Sequence, residues 1–472
     1  MAATVAKASA GLLGLALALP SGAEAHATEL VGTQTLAIPR WMFFVGAAIV
    51  LVISFAALGK LWSRPKLAVA AQRTVLRVPR WLDPLCGGVG VAGFAGLVYA
   101  GLAGDQDPAQ NILPTAVFVA FWIGVPILTL LFGDVFRPFN PWRAIGRGTG
   151  WLVGRVGGDL AAVEPLRYPR SYGYLPAAAG LMTFVFFELA YTDRNEPATL
   201  AVLVLMYAAV QLIGMACFGV QVWTDRADAF AVYFRLFASL SPLHWAGREL
   251  QLRVPLSGTA KLADVPGTVV LLCVMIGSTS FDGFTVSRLW NTIAKDVLRV
   301  YNDAGIAAVQ AGELTFATGL VVVVLIIGAL YRLGVQGMRR RDREHSAAEL
   351  ALRFAPSLVP IALAYVLAHY FGLLTYQGQT LIALVSDPLG HGSDLFGTAD
   401  RSVDYELVSA TAIWYVQVLV LLVGHGAGLA VAHDRALTIY ATPAAAARSQ
   451  RWMLGVMVLF TLLALWLLSA LA

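Results

Sequence analysis

Charge is scarce in this chain. Of its 472 residues only 13% are Asp, Glu, Lys or Arg, about half the share found in soluble domains, while 58% are hydrophobic. A water-soluble fold is excluded, because no core of this size hides that much apolar surface. Cysteine is scarce too. Cys86, Cys217 and Cys273 each lie in an apolar run and no C-x-x-C occurs, which argues against a disulfide framework or a thiolate site and leaves three small apolar residues. The local signatures of soluble enzymes are missing: no G-x-S-x-G, no P-loop, no dinucleotide fingerprint and no C-x-x-C-H. The net charge of +5 does not suggest nucleic acid, because the basic residues sit in short loops.

What is present is a series of long apolar runs. Ten of them lie near 41–62, 84–104, 112–132, 174–192, 198–221, 266–281, 313–333, 354–376, 405–431 and 452–471, each close to what a helix needs to cross about 30 Å of hydrocarbon. The expected fold is an all-α, polytopic transmembrane bundle of about ten spans, and the lipid bilayer is its first partner. Residues 1–25 read as a cleaved signal peptide. Lys7 precedes a short apolar stretch and Ala23-Glu24-Ala25 is an A-x-A site. Residues 26–472 then form a single membrane domain. Ala25-His26-Ala27 is also A-x-A, and a cut there would discard His26. A cleaved signal puts the mature N-terminus outside, and ten spans return the C-terminus to the same side. Loop charge agrees, since most of the 33 Lys and Arg fall in the loops this assigns to the inside. The expected location is a bacterial inner membrane with both termini periplasmic. Pro138 and Pro141 are expected to stop any helix in the inner loop at 133–173, with Phe136, Phe139 and Trp142 at headgroup level. The stretch 222–264 is expected to hold an amphipathic helix along the interface.

Ionisable groups inside a membrane are costly and so become candidates for function. Glu188 lies in the outer half of the fourth run, Asp282 at the outer end of the sixth and His369 in the outer half of the eighth, one turn after Tyr365. His391 follows in an outer loop, and His26 would also be outside. Imidazoles with carboxylates at one depth suit a divalent metal, copper or zinc, and an N-terminal His would chelate through amine and ring. The expected metal set is His26, His369, His391 and Asp282, with Asp282, Glu188 and His369 as catalytic candidates. Ser278, Thr279 and Ser280 are placed to hydrogen-bond Asp282, and Arg288 to pair with a carboxylate. A second group falls toward the inner face: His425, His433, Asp434, Asp134 and Arg143. His425 and His433 are about 80° apart around one helix and roughly 12 Å apart along it. An interhelical hydrogen bond and a headgroup salt-bridge cluster is the simpler account of that group.

The stretches "AHATEL", "GDVFRPFNPWRAIG", "FFELAY", "GSTSFDGF", "AHYFGLLTYQGQ" and "GHGAGLAVAHDRAL" together resemble the bacterial polytopic membrane proteins named fenitrothion hydrolase, in the same order over nearly the whole mature chain. The positions that carry the resemblance are His26, Asp134, Asn140, Arg143, Glu188, Asp282, His369, Gln379, His425, His433 and Asp434. It implies hydrolysis of an organophosphorothioate triester, a hydrophobic small molecule, with release of a nitrophenol. The mature start here is His-Ala where the family has His-Gly. A transporter of a metal ion or one coupled to protons, with His369, His425 and His433 as stepping stones, is the alternative. A membrane subunit serving a catalytic partner is a third reading. Intact mass of the purified chain is expected to place its first residue at His26; a start at Thr28 would remove His26 from any site.

Overall fold

The computed structural model describes residues 39–156, 164–340 and 344–470. The signal segment and His26 lie outside the described residues. Helix dominates the described residues, with one small sheet and connecting loops. Among the described residues nine helices are long and apolar enough to cross a membrane. These are α1 (Trp41–Leu61, with Arg40 as its first residue), α2 (Leu82–Ala103), α3 (Ile112–Phe132), α6 (Pro197–Phe218), α9 (Thr268–Thr285), α11 (Ala308–Arg339), α12 (Ala347–His369), α14 (Ala410–Ile439) and α15 (Arg451–Ala470). The fourth apolar run forms a shorter helix, α5 (Leu175–Leu189). Between them lie α4 (Pro141–Val156), α7 (Val220–Arg226), α8 (Ala229–Ala238), α10 (Arg288–Asp303) and α13 (Phe371–Ser386). All ten apolar runs are therefore helical, as an all-α membrane bundle requires.

Burial sorts the helices. In α9 and α12 about four-fifths of the apolar window is covered by protein, 83% and 78%, against 11% in α1. The bundle is thus built around α9 and α12, while α1 and α2 present apolar side chains outward, as lipid-facing helices do. The pair α12 and α14 packs closest. A Cβ on Gly424 would fall 2.2 Å from that of Ala364, and one on Gly428 would fall 2.9 Å from the Ser357 carbonyl oxygen. Small residues permit this approach, and it fixes α14 against the face of α12 that carries Tyr365.

Several expectations give way. The eighth run does not continue as one helix to residue 376. α12 ends at His369, Tyr370 leaves helical geometry at φ −94°, ψ 9°, and α13 sets off separately to pack on α3. Pro141 starts a helix rather than stopping one, because proline suits a first helical position where no N–H is needed. Phe136 and Trp142 are buried in protein, and only Phe139 is exposed. The stretch 222–264 holds no interfacial helix. α8 is buried at every position but Arg235, and its Phe230 and Phe234 meet Phe121, Phe136 and Phe184 edge-on. Its first turn is held by Asp228, a fully buried carboxylate that accepts from Asn140 Nδ2, Trp142 Nε1, Tyr207 Oη and the Ala231 N–H. After α8 the chain forms strands β2 (Leu243–Ala246) and β3 (Glu249–Arg253). They pair with β1 (Gln72–Arg77) from another loop in the order β1-β3-β2, all antiparallel. That sheet was not anticipated. α10 lies between the sixth and seventh apolar runs, and its Trp290, Ala294 and Leu298 pack on the bundle.

One carboxylate of α7 is paired twice. Asp225 lies 2.9 Å from both Arg137 and Arg235. Burial alone would raise its carboxyl, but the two guanidinium groups overcome this and hold it below the usual carboxylate range. A folded-state pKa below the unfolded one stabilises the fold at pH above the unfolded value of about 3.9, and this is lost as pH falls through the folded value. Thermal unfolding followed from pH 6 downward is expected to show a stability loss near and below about pH 4 that is smaller in Asp225→Asn; equal acid sensitivity of the two proteins would refute the assignment.

Candidate acid–base site

Three of the residues singled out from sequence meet. Asp282, near the end of α9, Glu188, near the end of α5, and His369, at the end of α12, are brought together at the end of the bundle that loop charge predicts to face outward. His369 Nε2 lies 2.9 Å from Asp282 Oδ2, so its N–H donates to the carboxylate. Tyr370 Oη donates to the same oxygen at 2.8 Å and lies 3.4 Å from Glu188 Oε1. The helix break explains why two consecutive residues reach one carboxylate. In a continuous helix neighbours point about 100° apart; ending α12 at His369 lets both side chains converge.

The site is dry on most sides. Glu188, Asp282, Arg194 and Tyr370 are 6%, 7%, 4% and 4% exposed. Arg194, on the loop after α5, is the guanidinium that faces both carboxylates, not Arg288, which is exposed on α10. Burial pushes the Arg194 guanidinium below its ordinary value, against the pull of Asp282 and Glu188. Its Nη1 donates to the Tyr191 carbonyl. Ser278, Thr279 and Ser280 turn back to carbonyls of their own helix. Gly283 sits under the imidazole, where a Cβ would lie 3.5 Å from the ring.

Among the described residues, three buried polar atoms in this region have no hydrogen-bond partner: Glu188 Oε2, Arg194 Nε and Tyr233 Oη; the Trp122 indole N–H lies beside Glu188 and Tyr370 as a further donor. Such atoms are rare in folded proteins, and each calls for a water or a ligand. A small crevice, with about 10 Å³ open to a water-sized molecule, is bordered by Phe118, Glu188, Arg194, Asn195, Tyr370 and Leu373. That is room for about one water, far less than the roughly 300–1,000 Å³ of a typical ligand pocket. Phe118 and Trp122 lie on a π-helical stretch of α3, Ala116–Gly124. Widened turns of this kind are frequent at functional sites, because they shift side chains out of helical register. Trp122 also stacks on Tyr233 of α8 at 5.0 Å.

The remaining candidates lie elsewhere. His391 is exposed in the loop after α13, where its backbone N–H donates to Asp387. His26 falls outside the described residues. Among the described residues no three His, Cys, Asp or Glu side chains are grouped to hold a metal ion. The expected inner group is divided among separate places. His433 donates through Nε2 to the Trp62 carbonyl, and Gln450 reaches its Nδ1. Asp434 accepts from Trp62 Nε1 and from the N–H groups of Lys66, Leu67 and Ala68. Asp134 accepts from the Arg137 N–H, and Arg143 pairs with Asp83 at 3.1 Å. Of the simpler account, the hydrogen bonds between segments are present, while no salt-bridge cluster joins these residues among the described ones. His425 is fully buried in α14, donating through Nδ1 to the Leu421 carbonyl, while its Nε2 has no partner. Asn140 serves Asp228, and Gln379 exchanges hydrogen bonds with the Asp404 backbone.

Sequence reasoning missed Tyr370, Arg194, Trp122 and Tyr233. Tyr370 was legible in principle as the neighbour of His369 in "AHYFG", and Arg194 as a lone cation in an acidic loop. No spacing links Trp122 or Tyr233 to the site. No family model, no curated protein and no solved structure matches this chain.

Tyr370→Phe removes the donor that Asp282 and Glu188 share, and is expected to lower stability by about 1–3 kcal/mol in thermal unfolding of the detergent-solubilised protein. Unchanged stability would show that the hydroxyl does not bridge them.

Proposed function

We propose that this chain is a membrane-embedded hydrolase whose acid–base centre is the cluster of Glu188, Tyr370, Asp282 and His369. Its substrates would be the phosphoric or thiophosphoric triesters implied by the resemblance to fenitrothion hydrolase, met at the periplasmic face of a bacterial inner membrane. The observation that carries the reading is the line of contacts from Glu188 through the Tyr370 hydroxyl to Asp282 and His369. One end of that line, Glu188, borders a cavity and has an unpartnered oxygen.

The groups divide the work. Glu188 Oε2 accepts a hydrogen bond from a water in the cavity and takes its proton as the water oxygen attacks phosphorus. The new phosphorus–oxygen bond displaces the aryl oxygen, which departs with the electron pair of the bond that breaks. Negative charge gathering on the phosphoryl oxygen or sulfur is met by Arg194, whose Nε has no other partner. Asp282 holds His369 and Tyr370 in place, and these buried donors balance its charge. The crevice itself takes the water, and an apolar ester would meet it at the mouth, beside Phe118 and Leu373. Of the expected copper or zinc set, His369 and Asp282 touch, His391 is exposed on a loop and His26 lies outside the described residues; no step here uses a metal.

The test is cleavage of a nitrophenyl thiophosphate triester by the purified full chain in nanodiscs, read as nitrophenolate absorbance. Glu188→Gln and Asp282→Asn are each expected to lower the rate by about 10²–10⁴, while His391→Ala leaves it unchanged. Wild-type protein that cleaves no ester but carries metal ions or protons across proteoliposomes, in a manner lost in His425→Ala, would replace this reading with transport.

A further inference from the structure

At the opposite end of the bundle from Glu188, α14 carries Asp434 and Arg435 side by side, and their circumstances differ. The Asp434 carboxylate is saturated by Trp62 Nε1 and three backbone N–H groups of the 66–68 turn. Arg435 is not: its Nη2 is buried and has no hydrogen-bond partner. A guanidinium offers five N–H donors and no acceptor, so a buried nitrogen left idle is costly unless an acceptor arrives.

The place for an acceptor is beside it. A shallow notch, partly open to solvent and deep enough for about one water, is bordered by Arg435, Leu67, Ala68, Thr259, Val431 and Thr438, so an anion's oxygen would reach the guanidinium from the open side. Three chain segments form it: the turn after α1, the helical turn Ser257–Lys261 and the end of α14. Lys66 and Lys261 flank it in the chain, next to Leu67 and Ala260. Asp434 is the one carboxylate on its wall, and its charge is spread over four donors. The notch lies along the last turns of α14, which ends at Ile439. Planar guanidinium groups match the oxygens of phosphate in pairs, and basic pockets between spans are where anionic headgroups lodge.

We propose that this notch binds a phosphate-type anion on Arg435, presented either by a lipid headgroup or by free phosphate. The experiment uses the full chain and does not depend on ester cleavage. Inorganic phosphate is titrated into detergent-solubilised protein at constant ionic strength, with the melting temperature as readout. In parallel, native mass spectrometry reads phosphatidylglycerol retained from mixed nanodiscs over phosphatidylcholine. Arg435→Gln is expected to weaken whichever ligand binds by tenfold or more. Ala260→Phe, which fills the notch from its rim and spares the guanidinium, is expected to do the same, so a folding defect in one variant does not decide the result. Retention of phosphatidylglycerol without a phosphate response identifies the lipid, and the converse identifies free phosphate. Binding of neither to the wild type, or equal binding to both variants, overturns the proposal.

Discussion

A carboxylate placed inside an apolar bundle must be given donors by the protein, because the bilayer supplies none. Asp282 is the clearest case, and much of the structure around it follows from meeting that demand. His369 and Tyr370 both reach one of its oxygens, and they do so at the one place where α12 stops being a helix. That stop redirects the chain, so α13 sets off as a separate helix and packs on α3. It also carries Tyr370 to the wall of the cavity beside Glu188 and Arg194. Satisfying a single buried acid thus shapes the candidate site and the path of the chain that closes over it.

The two other buried carboxylates handled by several donors work differently. Asp228 is met by four uncharged donors and pins the start of α8, which lets an aromatic helix lie inside the protein where the sequence suggests an interface. Asp434 gathers a turn of backbone N–H groups and fastens the segment after α1 to the end of α14. Both are saturated and adjoin no unpartnered carboxylate oxygen. At the Asp282 cluster the accounts do not close, since Glu188 Oε2 and Arg194 Nε are left without partners next to open space. That contrast separates acids that hold the fold from one poised to exchange a proton, and it is why the functional proposal rests there. Arg435 at the opposite end is the same kind of open account with the charge reversed.

Depth was legible where geometry was not. Counting residues along each apolar run places Glu188, Asp282 and His369 at one level, and they do meet. The same counting places His391 nearby, and it lies exposed on a loop. The difference is that a helix within the bundle has its azimuth fixed by packing, whereas a loop residue has no such constraint. Asp134, Arg143, His425, His433 and Asp434 likewise share a face in the count, yet only His433 and Asp434 stay together, both holding the segment after α1, while the other three bond elsewhere. Tyr370 escaped notice because helical periodicity points it away from His369, and only the break reverses that.

The amino-acid order alone determined the membrane, the helices and their approximate ends, because hydropathy and length decide where a backbone can sit in hydrocarbon. It also marked the few ionisable groups that burial makes expensive. Tertiary structure decided which of them touch, that α8 is enclosed, that a three-stranded sheet joins two distant loops, and which polar atoms remain unmet. Those outcomes depend on the rotation of each helix about its axis and on breaks within it. Both are set by contacts with neighbours far away in the chain, which no local pattern encodes.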